Sequence, residues 1–92
     1  MIQMIFVYIL AKIDAGAENK ILESLKTTRQ IGKASLTYGI YDLCVEAQFK
    51  TMEELDSFVV NVMRKIPGIK ETVTLITSRA IFAQPGQAIS FG

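Results

Sequence analysis

The residues best equipped for binding chemistry sit together mid-chain, in Leu36-Thr37-Tyr38-Gly39-Ile40-Tyr41-Asp42-Leu43. Gly39 can adopt a positive φ and let a ligand approach backbone N–H groups closely, which suits a carboxylate. Asp42 supplies a fixed negative charge, which suits an ammonium group. Tyr38 and Tyr41 each offer a hydroxyl and an apolar ring wall. Together these groups have the chemistry a small zwitterion requires. Each also has a plainer role: Gly39 as a hairpin glycine and Asp42 as a turn or strand-edge aspartate. Catalytic and metal chemistry is poorly provided for. The 92 residues include no histidine, which excludes His-based triads, His-ligated zinc, proximal-His haem and His acid–base work. Cys44 is the only cysteine, so no internal disulfide forms. No activating neighbour stands beside it in the sequence, and it reads as a small packing residue. No catalytic residue, metal or cofactor is expected.

The elements that must position this turn follow from hydrophobic periodicity. Ile2 to Ile13 lacks Gly and Pro, is rich in Ile, Val, Phe and Tyr, and reads as a strand that is apolar on both faces. Ala17 to Thr28 reads as a helix with Ile21, Leu22 and Leu25 on one face. Ala34 to Tyr38 is a short second strand, Gly39-Ile40 a tight turn, and Tyr41 to Phe49 a third strand. That third strand alternates cleanly, with Leu43, Val45, Ala47 and Phe49 on one side and Asp42, Cys44, Glu46 and Gln48 on the other. Its polar side is expected to meet water or a polar site. Thr51 and Glu54 form a capping box, and Leu55, Phe58, Val59, Val62 and Ile66 mark a second helical face that Pro67-Gly68 ends. A fourth strand, built on Thr72 to Thr77, lies within Ile69–Phe82. Ala83 to Gly92 is left as a tail or short added strand, so the domain is expected at 1–82 and the appendage at 83–92.

The order β-α-β-β-α-β with right-handed crossovers predicts an α+β, ferredoxin-like fold: a four-stranded antiparallel sheet with both helices on one face. The other face would be exposed in a single chain. Strand one is apolar on that side too, so the patch exceeds what soluble monomers usually tolerate. A chain this short also lacks disulfide or metal staples. Sheet-to-sheet pairing of two subunits, in the manner of a dimeric α/β barrel, is therefore expected, with the C-terminal tail as the alternative cover. Ten basic and nine acidic residues leave a net charge of +1 without a dense basic block, so no direct nucleic-acid partner is expected. The apolar first eleven residues lack a basic leader and fall short of the roughly 20 needed to cross a bilayer, so no membrane role is expected and a cytoplasmic location is.

The Gly39-x-Tyr41-Asp42 stretch resembles the Gly-x-Tyr/Phe-Asp signature of the Lrp/AsnC family ligand-binding domain, also called the RAM domain. Ile66-Pro67-Gly68-Ile69 is similar to that family's helix-end turn, and Thr72-Val73-Thr74-Leu75-Ile76 to its Thr-rich last strand. The resemblance covers Ile2 to Phe82. It implies a non-enzymatic, amino-acid-responsive, oligomerising effector-binding module involved in transcriptional regulation. Family domains pair through their sheets and often assemble as four dimers, an octamer. The resemblance also implies that effector amino acids bind between dimers near the glycine turn. Tyr38, Gly39, Tyr41 and Asp42 would then meet Thr72 and Thr74 from a neighbouring subunit. Because the chain begins at strand one, it looks like a stand-alone sensor without the helix-turn-helix domain, able to join full-length Lrp/AsnC-type regulators. Two alternatives share the strand order: a small dimeric α+β barrel enzyme of the monooxygenase or isomerase type, and an ACT-type sensor domain.

Overall fold

A computed structural model describes residues 4–78. The elements are β1 (Ile5–Ile13), α1 (Glu18–Lys26), β2 (Ile31–Leu36), β3 (Leu43–Phe49), α2 (Met52–Asn61), a single 3-10 turn (Met63–Lys65) and β4 (Ile69–Ile76). The predicted β-α-β-β-α-β order is present. The tail from Ala83 to Gly92, and the expected start of strand one at Ile2 and Gln3, lie outside the described residues.

The sheet is antiparallel throughout, in the order β2-β3-β1-β4. The doubly apolar β1 takes a central place between β3 and β4. Its odd-numbered side chains Val7, Ile9, Ala11 and Ile13 are buried with Leu43, Val45, Ala47 and Phe49 of β3. Ile21 and Leu25 of α1, Leu55 and Phe58 of α2, and Met63 complete that core. Phe49 and Phe58 meet as a tilted pair, with ring centroids 5.1 Å apart.

Residues directly opposite each other in an antiparallel pair share a face. The register therefore places Phe6, Tyr8, Leu10 and Lys12 on the uncovered face, with Cys44, Glu46 and Gln48 of β3 and Glu71, Val73 and Leu75 of β4. The polar alternation of β3 is thus used as expected.

The barrel-like pairing expected from the sequence needs correction. The sheet is open: β2 and β4 stand at opposite edges and do not meet. Closure requires the two edge strands to pair with a matched stagger, and here β3 and β1 stand between them.

Local boundaries also differ from the sequence reading. β2 begins at Ile31, three residues before the predicted start, because Ile31 pairs with Ala47 across an irregularity at Gly32. The second helix ends at Asn61, and the chain tightens into the 3-10 turn that buries Met63. The capping box is present in a shifted form. The Glu54 N–H donates to Thr51 Oγ1 at 3.1 Å, while Glu54 Oε2 accepts from the Lys50 N–H at 3.0 Å.

Candidate effector site at the β2–β3 turn

The β2–β3 ladder ends at Leu36 opposite Leu43. One further bond closes its mouth: the Thr37 N–H donates to the Asp42 carbonyl at 2.9 Å. The Thr37 hydroxyl donates to the Tyr41 carbonyl at 2.8 Å. What remains is a four-residue loop, Tyr38 to Tyr41, wider than the predicted two-residue turn. Gly39 takes φ +125°, and a Cβ there would meet nothing within 4 Å. Backbone conformation, not crowding, asks for glycine at this position.

Asp42 is held from both directions. Its N–H donates to the Ala11 carbonyl at 2.9 Å. Its Oδ2 accepts from the Ile13 N–H at 3.0 Å. The β1–β3 ladder has stopped at Ala11 opposite Leu43, so this carboxylate stands in for the strand carbonyl that Ile13 lacks. The structural role of Asp42 is therefore real, and it leaves Oδ1 without a protein donor among the hydrogen bonds of the described residues. Asp42 lines a cleft of ≈ 430 Å³ together with Ile13, Ala15, Glu18, Leu36, Thr37 and Tyr38.

At the loop tip Tyr38 is fully exposed and Ile40 largely so. Tyr41 is half-buried, and Lys12 Nζ stands 6.0 Å from its ring centre. Lys12 also pairs with Glu71 at 3.7 Å, which ties the loop's flank to β4.

Thr72 and Thr74 are not brought to this loop within one chain. They lie opposite Ala11 and Ile9 on β4, with β1 between them and β3. Two strand spacings amount to roughly 9.5 Å. Their side chains also belong to the helix-side face.

Sequence reasoning missed Ile13, Ala15, Glu18, Leu36 and Thr37. Leu36 and Thr37, inside the Leu36–Leu43 stretch, and Glu18, acidic in the first helical turn, carried some signal; Ile13 and Ala15 carried none. Cys44 is half-buried on the uncovered face. Burial pushes its thiol pKa up, nearby Glu46 adds to the rise, and Lys33 opposes it. That is the setting of an unreactive thiol.

Residues 6–86 match the family described as the Lrp/AsnC ligand binding domain. The chain belongs to that family. This Lrp/AsnC domain is 36% identical over 69 residues to the HTH-type transcriptional regulator FL11 of Pyrococcus abyssi, a match that covers 75% of this chain and 45% of that protein. It spans a little under half the length of the curated relatives it matches. Among solved structures, the hypothetical protein PHS023 from Pyrococcus horikoshii is 32% identical with a TM-score of 0.74, covering 91% of this chain and 98% of that one. A transcriptional regulator from Neisseria meningitidis, solved as an L-Met complex, has a TM-score of 0.82 at 15% identity, covering 91% and 56% of the two chains, and shows the shared fold.

Family membership makes this Lrp/AsnC domain an effector-binding regulatory module, not an enzyme. The barrel-enzyme and ACT-type alternatives give way to it. No helix among the described residues is long and apolar enough to cross a membrane.

Proposed function

We propose that this domain senses a small amino acid at the Tyr38–Asp42 loop and relays its presence through assembly with other subunits. One observation carries the reading. The loop is braced at its base by four hydrogen bonds, yet Asp42, which lines a cleft, uses only one of its two carboxylate oxygens in them. Pre-organised polar groups beside apolar walls are what a small-ligand site requires. The α-ammonium is assigned to Asp42, the carboxylate to backbone N–H groups near Gly39, and the side chain to the apolar wall at Ile13 and Leu36, with Tyr38 at the cleft's edge and Tyr41 beside it, outside the lining. Thr72 and Thr74 would arrive from a neighbouring subunit, since one chain keeps them two strands away. The L-Met complex of the Neisseria relative supports an amino acid as the ligand class.

The uncovered sheet face supports a homodimer in which two open sheets stack, and four such dimers would make an octamer. The likeness to HTH-type regulators supports mixed assembly with full-length relatives, in which the DNA is read by the partner. A cytoplasmic location and a domain spanning 1–82, with 83–92 appended, belong to the same reading. A thermal-shift screen of the common amino acids at millimolar concentration tests it, because a ligand of the folded state raises the Tm by mass action. At least one amino acid is expected to raise the Tm, and the Asp42→Asn variant to lose that response. A flat response across all of them overturns the effector assignment.

A further inference from the structure

The two edges of the sheet are not alike. β2 carries the devices that keep an edge from pairing: it is short, has Lys33 in mid-strand and is irregular at Gly32. β4 is longer, and its charges and register shift are confined to its start, at Lys70 and Glu71. From Thr72 to Thr77 it has no charge, no Gly and no Pro, and every residue but Leu75 is β-branched.

Backbone direction shows what this edge offers. The Thr77 N–H donates to the Phe6 carbonyl at 2.9 Å. Residues in an antiparallel ladder turn their N–H and C=O alternately toward and away from the neighbouring strand. Val73 and Leu75 thus also turn toward β1, while Thr72, Thr74 and Ile76 present their groups outward. Among the described residues no strand lies beyond β4, and these outward groups have no hydrogen-bond partner.

We infer that β4 pairs with β4 of a second copy, antiparallel about a two-fold axis at Thr74, so that two four-stranded sheets become one continuous sheet. In this register Thr74 faces Thr74, Thr72 faces Ile76 and Val73 faces Leu75. Each outward N–H and C=O from Thr72 to Ile76 gains a partner. Glu71 faces Thr77, so no like charges are opposed. The same operation on β2, about Ala34, would set the two Lys33 cations at diagonal positions about 7–8 Å apart.

The uncovered face favours a second copy over any other strand. Paired residues share a face, so both apolar strips lie on one side and join. Tyr8 and Leu75 of one copy run on into Val73 and Leu10 of the other. One four-stranded face has a footprint of roughly 550 Å² by strand spacing and rise, small against the about 800 Å² per partner of a stable interface. The joined sheet doubles that footprint, so edge pairing and face stacking reinforce each other. Four chains then close as two joined sheets stacked face to face.

Thr74→Pro tests the edge. The Thr74 N–H points away from β1, so proline removes no bond within the chain, and its ring blocks the second copy. Light scattering at micromolar concentration should give at least four chains for the natural protein and two for Thr74→Pro, with the far-UV spectrum preserved. Amide hydrogen exchange on the unmutated full chain reads the same edge and decides alone if the variant fails to fold. Exchange at Thr72, Thr74 and Ile76 should slow at least about tenfold from dilute to concentrated protein, equivalent to about 1.4 kcal/mol. Ala34 and Leu36, which the Thr37–Asp42 bond places outward on β2, should stay fast. The inference is overturned if the natural chain has a mass of two chains or fewer, or if a folded Thr74→Pro keeps the natural mass. It is also overturned if the three amides are equally protected at every concentration, since the chain's own residues would then cover the edge. A two-chain mass for both proteins would leave the stacked dimer standing, so the two contacts fail separately.

Discussion

At the scale of single residues, Asp42 performs two tasks that can be separated chemically. Oδ2 accepts from the Ile13 N–H at 3.0 Å, a structural duty that needs an acceptor but no charge. An ammonium ligand needs the charge. Asp42→Asn keeps a carbonyl oxygen for Ile13 and should hold stability within about 1 kcal/mol, whereas Asp42→Ala leaves a part-buried N–H unpaired and should cost about 1–2 kcal/mol. Chemical denaturation reads the first quantity and the effector-induced Tm shift the second. If Asp42→Asn retained the full shift, the ammonium assignment would be wrong. Cys44 makes a pH prediction. Its thiol is raised above the ordinary value of 9.0, so the folded state holds the proton more tightly than the unfolded chain. The contribution to stability is complete below pH 9.0 and is lost as the pH rises through the higher folded value. Alkylation by iodoacetamide should therefore be slow at neutral pH, and its rate should climb with a midpoint above 9.0. A midpoint near 7 would mean that an activating group acts on this sulfur.

At the scale of elements, Gly68 is the tightest fit. It has φ +100°, and a Cβ there would stand 2.6 Å from Ala17 Cβ and 3.2 Å from Ile21 Cδ1. Its carbonyl also accepts from the Asp14 N–H at 2.7 Å, so the turn before β4 is clamped onto the start of α1. Ala17 Cβ cannot swing away without moving the backbone of the helix start. Gly68→Ala should cost about 2–4 kcal/mol, combining overpacking with left-handed strain. Gly39→Ala, with open space around it, should cost only the backbone part, about 1–2 kcal/mol. Removing the methyl in an Ala17→Gly, Gly68→Ala double variant should recover stability relative to Gly68→Ala, which a thermal melt would show. Equal costs at the two glycines would contradict the steric account. These packing details explain what could be read beforehand. The order of elements was legible because periods of two and 3.6 residues mark strand and helix, and the Thr51–Glu54 cap and Pro67-Gly68 stop are local signals. The β2–β3 loop was legible for the same reason, since its motif is contiguous. The cleft wall was not: Ile13 and Asp42 are 29 positions apart and meet only through the β1–β3 pairing. The facing of Thr72 and Thr74 was likewise hidden, because the β1–β4 register decides it and no local pattern encodes that register.

At the scale of the whole molecule, the uncovered face demands an explanation. Phe6 is 57% exposed, Tyr8 42% and Leu75 49%, and Tyr8 and Leu75 face each other across β1 and β4. Leu10 and Val73 form the next row inward. Helices cover the opposite face only, so within residues 4–78 nothing shields this strip. At about 25 cal/mol per Å² of apolar surface removed from water, covering it is a substantial driving force. Two copies related by a two-fold axis could stack these faces about 10 Å apart, each remaining an open sheet. The charged rim formed by Lys12 and Glu71 would then bound the contact and set its register. A substitution on this face counts twice in a symmetric dimer, and Leu75→Glu places two carboxylates into the buried strip. In a single chain that side chain is half-exposed, so folding should change by no more than about 0.5 kcal/mol. Association should weaken at least about tenfold, since uncompensated burial of charge exceeds 1.4 kcal/mol. Light scattering at micromolar concentration should thus give at least a dimer mass for the natural chain and a shift toward one chain for Leu75→Glu, with the far-UV spectrum preserved. A one-chain mass for the natural protein would remove the stacked dimer and leave the strip to be covered from elsewhere. An unchanged mass for Leu75→Glu would move the interface to another face.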